Sequence, residues 1–113
     1  MRIVKVMCIL VAAAAAPKAR AQAVSFGSLK NVDAGVLNVG YAETGPANGT
    51  PVLLLHGWPY DIHTYVDVAP LLASAGYRVI VPYLRGYGAT RFLSSDTPRN
   101  GQQGALAVDA IAL

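Results

Sequence analysis

The sequence predicts an α/β domain with an incomplete sheet: an antiparallel strand pair, then two parallel strands with an intervening helix. Three observations carry this. Val52–Leu55 is a short, branched, uncharged run that stops abruptly at His56-Gly57-Trp58-Pro59. Arg78–Pro82 is a second apolar run, and Arg85-Gly86-Tyr87-Gly88 follows it closely. Between them, Ile62, Tyr65, Val66, Ala69, Leu72 and Ala75 recur at helical spacing. Short apolar runs of this kind suit strands buried on both faces of a parallel sheet.

The elements follow in order. Val24 to Lys30 reads as a first strand, and Asn31-Val32-Asp33-Ala34-Gly35 as a turn. Val36 to Glu43 reads as a second strand, antiparallel to the first because the connection is short. Gly45 to Pro51 is dense in turn formers, and Asn48-Gly49-Thr50, formally a glycosylation sequon, reads as part of that turn. Val52–Leu55 is the third strand. The helix lies within Ile62 to Ala75, broken or kinked by Pro70 and stopped by Gly76. Arg78–Pro82 is the fourth strand. Tyr83 to Gln103 is long and irregular. A further helix starts at Gly104 or Ala105 and carries Leu106, Asp109, Ala110 and Leu113 on one stripe.

The exit from the third strand is built for close backbone approach. Gly57 has no Cβ, so a substrate oxygen can reach the main chain there. Pro59 fixes its own φ and restricts Trp58. We expect the Trp58–Pro59 bond to be cis. The turn would hold the Trp58 N–H at the carboxyl end of a strand, where open α/β sheets bind ligands. A fixed backbone donor at such a place is what an oxyanion hole requires. Gly86 and Gly88 turn the chain after the fourth strand, with Arg85 tying the loop by hydrogen bonds. Gly86-x-Gly88 lacks the third glycine of a dinucleotide fingerprint. His63 and Asp61 do not form a metal motif and read as surface or helix-start residues, Asp61 as an N-cap.

The two motifs, in this order and each after an apolar strand, resemble the N-terminal part of the α/β-hydrolase fold. Within it they are most similar to the epoxide-hydrolase and haloalkane-dehalogenase branch. His56 to Pro59 match the family's His-Gly-X-Pro, and Arg85 to Thr90 its Arg-Gly-X-Gly-X-Ser/Thr. The resemblance covers roughly 24–113. It implies that the Trp58 N–H is an oxyanion-hole donor, and that His56 orders the loop behind that donor rather than acting as a base. It also implies that the third strand lies between the fourth and a fifth beyond this sequence. The family usually has Asp after the strand-four proline. Here it is Tyr83, which bears on a local hydrogen-bond network rather than on the chemistry.

No Gly-x-Ser-x-Gly frame surrounds Ser25, Ser28, Ser74, Ser94 or Ser95. The resemblance places the nucleophile, the acid and the catalytic histidine later than Leu113. The sequence therefore reads as an N-terminal fragment or a truncated reading frame, inactive by itself. In the whole enzyme an Asp nucleophile is implied, with a serine esterase or haloperoxidase-type hydrolase, or a non-catalytic hydrolase-like binding protein, as the alternatives. No cofactor and no metal are implied. The partner implied for the complete enzyme is a small-molecule substrate.

Residues 1–23 read as an export signal. Arg2 and Lys5 precede the apolar stretch 6–16, too short to span a bilayer, and Ala21-Gln22-Ala23 fits a small-x-small cleavage site, with Ala19-Arg20-Ala21 as a second choice. That segment holds four of the nine basic residues, so the remaining domain, 24–113, has five against six acidic and is near neutral. No basic cluster points to nucleic acid. The only cysteine, Cys8, falls in the same segment, so the mature chain would have no disulfide. These features imply a periplasmic or secreted protein with no stable membrane anchor, and they leave its oligomeric state open.

Overall fold

The computed structural model describes residues 25–113, so the expected export signal lies outside the described residues. The elements are β1 (Lys30–Ala34), β2 (Leu37–Thr44), β3 (Pro51–Leu53), a 3₁₀ turn (Ile62–Tyr65), α1 (Val68–Ser74), β4 (Arg78–Pro82), β5 (Arg91–Phe92) and α2 (Gln103–Ala112). The sheet order is β1-β2-β4-β3, with β5 paired to β2. β1, β4 and β5 run antiparallel to β2, and β3 runs parallel to β4.

The first strand is displaced from its expected place. Residues 25–29 form no strand, and β1 takes the stretch read as a turn. Its polar residues are tolerated because β1 is an exposed edge of the sheet. Asn31 donates to Asn38 at 3.0 Å, and Asn38 donates to Asp33 at 2.6 Å, so polar side chains satisfy one another across the hairpin. The true turn is the two-residue pair Gly35-Val36, with Gly35 at φ 58. Short polar side chains were read as turn formers where they serve a solvated strand face.

Strand alternation in β2 builds two cores on opposite faces. Leu37 and Val39, with Ala34, pack with Phe92 and Leu113 on one face. Ala42 packs on the other with Val79 and Val81 of β4, Ile62 of the 3₁₀ turn and Ala69 of α1. Helical elements therefore cover both faces of the sheet. β3 departs from its expected full burial: Val52, Leu53 and Leu54 are half-buried, because β3 pairs with β4 on one side alone among the described residues. This edge position agrees with the strand order implied by the resemblance.

The connecting helix is broken as expected, though at Val66–Asp67 rather than at Pro70. Pro70 is the third residue of α1, where the N–H has no intrahelical acceptor to lose. Gly76, at φ 91, closes α1: Tyr77 N–H donates to Leu72 O at 3.2 Å and Gly76 N–H to Ala73 O at 3.0 Å. That double bond pattern needs a left-handed residue at Gly76. The short β5 was missed within the stretch read as irregular.

Candidate active site

Because β3 and β4 are parallel neighbours, their carboxyl ends open at the same edge of the sheet. The last ladder bond beyond β3 runs from Leu54 N–H to Ile80 O at 2.9 Å. The chain then leaves the sheet through Leu55 and His56. The His56 side chain is buried, and its Nε2 accepts the Leu84 N–H at 3.1 Å. The two strand exits are thus stitched together. An acceptor Nε2 requires a neutral ring whose proton sits on Nδ1. That Nδ1 is buried with no hydrogen-bond partner among the described residues. A ring with its basic nitrogen already engaged is poorly placed to act as a general base.

Residues 57–60 form a tight turn closed by Tyr60 N–H to Gly57 O at 2.8 Å, with a cis Trp58–Pro59 bond at its centre, as expected. Gly57 C=O and Trp58 N–H belong to one trans peptide unit and point in opposite directions. Fixing the carbonyl inward therefore turns the N–H outward, and the Trp58 N–H makes no hydrogen bond among the described residues. A Cβ built on Gly57 meets nothing within 4 Å. The turn presents a free, oriented backbone donor beside open space. The Trp58 side chain is 84% exposed, so it contributes little to packing within this chain.

The β4 exit is held by Arg85. Its guanidinium makes a two-pronged ion pair with Asp109 of α2, at 2.6 and 2.7 Å, and donates to Asn100 O at 3.2 Å. Both partners are largely buried, and the hydrogen bonds to Asp109 hold the Arg85 pKa above its usual value. Gly86 and Gly88 turn the chain, at φ 83 and φ 46. Gly88 also lies so close to the Tyr83 ring that a Cβ would overlap it. Burial raises the Tyr83 pKa, with the charge of Asp61 adding to it. Tyr83 is tied through its backbone, its N–H donating to Gly40 O at 2.9 Å and its carbonyl accepting Thr90 Oγ1–H at 2.6 Å. Thr90 Oγ1 in turn accepts the Gly40 N–H at 3.0 Å.

Asp61 caps the 3₁₀ turn by accepting the His63 N–H at 2.9 Å, and this bond leads the lowering of its pKa. The structure thus brings His56, Gly57, Trp58, Pro59, Arg85, Gly86 and Gly88 to one edge of the sheet. Sequence reasoning missed Asp109 and Tyr65. A lone carboxylate on an otherwise apolar stripe was the available signal for the first. For Tyr65 there was none: its ring sits in the helical stripe, and only the structure shows its hydroxyl donating to Leu55 O at 2.6 Å.

The sequence pattern of the alpha/beta hydrolase fold family matches residues 50–110, more than half of the chain. The chain belongs to the α/β-hydrolase fold family. Among solved structures, this hydrolase-fold chain is similar to a Klebsiella pneumoniae protein provisionally named an epoxide hydrolase. The identity is 61% and the TM-score 0.75, over 80% of this chain and 30% of that one. It is 46% identical to a haloalkane dehalogenase from Mycobacterium marinum over 46% of this chain and 18% of the relative. It is 36% identical to a non-heme chloroperoxidase from Streptomyces lividans over 67% of this chain and 26% of the relative. The hydrolase-fold chain therefore spans less than a third of the length of each.

Proposed function

We propose that the chain supplies the oxyanion-donor part of the active site of an exported hydrolase that opens epoxides. The observation that carries this reading is the Trp58 N–H, without a partner among the described residues and aimed outward by the Tyr60–Gly57 bond at the carboxyl end of β3. The likeness to a provisionally named epoxide hydrolase supports epoxides as the substrate class. In the full-length protein an Asp carboxylate attacks an epoxide carbon and forms an ester as that carbon's bond to the ring oxygen breaks, and the released oxygen takes a proton from an acid of the full-length protein to become a hydroxyl. Water, activated by a histidine, adds to the ester carbonyl, and the Trp58 N–H stabilises the oxyanion that develops. Residues 24–113 by themselves hold a donor with no nucleophile to assist and turn nothing over. Export rests on the charged, apolar and small-residue order of residues 1–23.

A serine esterase of the same fold is the second reading, favoured by the likeness to a non-heme chloroperoxidase. The two differ in the intermediate. Full-length protein is mixed with an aryl epoxide, or with a p-nitrophenyl ester, quenched within one turnover and digested for mass spectrometry. The epoxide reading expects an aspartyl peptide heavier by the whole mass of the epoxide. An acylated serine peptide selects the esterase instead. Failure to turn over either substrate would leave a non-catalytic binding protein.

A further inference from the structure

We infer that Tyr65 is a positioning residue for the oxyanion donor, acting through the Leu55 carbonyl. This rests on the reading of Trp58 as that donor. The ladder between β3 and β4 ends at Leu54, so the Leu55 C=O has left the sheet with no backbone donor among the described residues. The Tyr65 hydroxyl supplies one, at 2.6 Å. Tyr65 is well placed to be rigid. It ends the 3₁₀ turn capped by Asp61, and its half-buried ring packs on the core formed by Ile62, Ala69, Val79 and Val81.

The tether completes a series. The Leu55 carbonyl is held by Tyr65, the His56 ring by the Leu84 N–H, and the Gly57 carbonyl by the Tyr60 N–H. Three successive residues before the donor are each fixed by a different element. The first comes from the segment after the turn, the second from the β4 exit, and the third from the turn itself. Only the first depends on a side chain that can lose its donor without losing its bulk. Preorganised donors act because they need not reorient as charge develops. Loosening the Leu55 peptide should therefore lower the rate at saturation more than it weakens substrate binding.

Tyr65→Phe keeps the ring and removes the hydroxyl. The Tyr60 N–H bonds the Gly57 carbonyl and the Leu84 N–H bonds the His56 ring, so exchange at these two amides reports on the turn directly. In the full-length protein we expect Y65F to speed exchange of the Tyr60 and Leu84 amides while the β4 amides stay protected. We expect kcat on an aryl epoxide to fall about ten-fold with KM within about two-fold. Unchanged exchange at both amides would overturn the inference. So would a loosened turn with unchanged kcat, or exchange rising equally in β4, which would make Tyr65 a general stabilising residue. Absence of turnover in the unsubstituted protein would instead defeat the functional reading, while exchange would still decide whether Tyr65 holds the turn.

Discussion

Gly57 is defined by the empty space beside it. Most glycines with a structural reason show a neighbour that a Cβ would strike, as Gly88 does with the Tyr83 ring. Gly57 shows none, and its φ is not positive. Packing therefore gives no account of it, whereas the proposed function does, through access to the Trp58 N–H. We expect Gly57→Ala in the full-length protein to keep its melting temperature within about 2 °C yet to lower kcat/KM at least ten-fold, the added methyl standing where substrate approaches. Calorimetry and steady-state kinetics on the same sample would check this. Gly88→Ala should behave in the opposite way, losing stability first, because the methyl meets an aromatic ring and the backbone is left-handed at φ 46.

At the scale of elements, α2 is tied to the β4 exit by the ion pair of Arg85 with Asp109. A buried pair that loses one partner leaves a bare charge, at a cost of about 3–5 kcal/mol. Arg85→Ala and Asp109→Ala should each destabilise the full-length protein by about that much in urea unfolding, and the double variant by less than the sum of the two. Arg85→Lys should not rescue, since a single ammonium cannot make both bonds to the carboxylate. A second tie joins β1, β2 and β4, where Glu43 accepts from Lys30 and Arg78. Those bonds, Lys30 first, lower the Glu43 pKa, and the same contact raises that of Lys30. A depressed carboxylate contributes stability that is complete above its unfolded value, about pH 4.3, and fades as pH falls through the folded value. A raised lysine contributes below about pH 10.4 and fades as pH rises through its folded value. Glu43→Gln should therefore flatten both limbs of a stability–pH profile, leaving an acid slope from Asp61, whose pKa is also lowered.

These elements were unequally legible in the sequence. β4 was read with its observed bounds because Arg78–Pro82 is apolar, β-branched and bounded by Gly76 and the Arg-Gly loop. β1 was misplaced because Asn and Asp favour turns locally, while cross-strand bonds between Asn31, Asn38 and Asp33 decided otherwise. The break before α1 was foreseen and its position was not, since proline breaks a helix only beyond its first turn. At the candidate site, glycine and proline spacing marked the backbone. The side chains that hold it act through pairings distant in sequence: a lone carboxylate on an apolar stripe marks Asp109, and nothing local marks the Tyr65 hydroxyl.

For the molecule as a whole, the parallel pairing of β3 with β4 is what makes a site. It brings His56 and Leu84 into contact from opposite ends of the intervening segment. The same topology leaves β3 an apolar edge among the described residues, and such edges tend to recruit further strands. On the proposed function, this architecture holds one backbone N–H still. Replacing Trp58 by its α-hydroxy acid turns the Gly57–Trp58 amide into an ester and deletes that N–H while keeping the side chain. In full-length protein carrying this change, the rate at saturating epoxide should fall by about 10²–10³ with KM little altered. An unchanged kcat would show that the Trp58 N–H stabilises no oxyanion and would contradict the account.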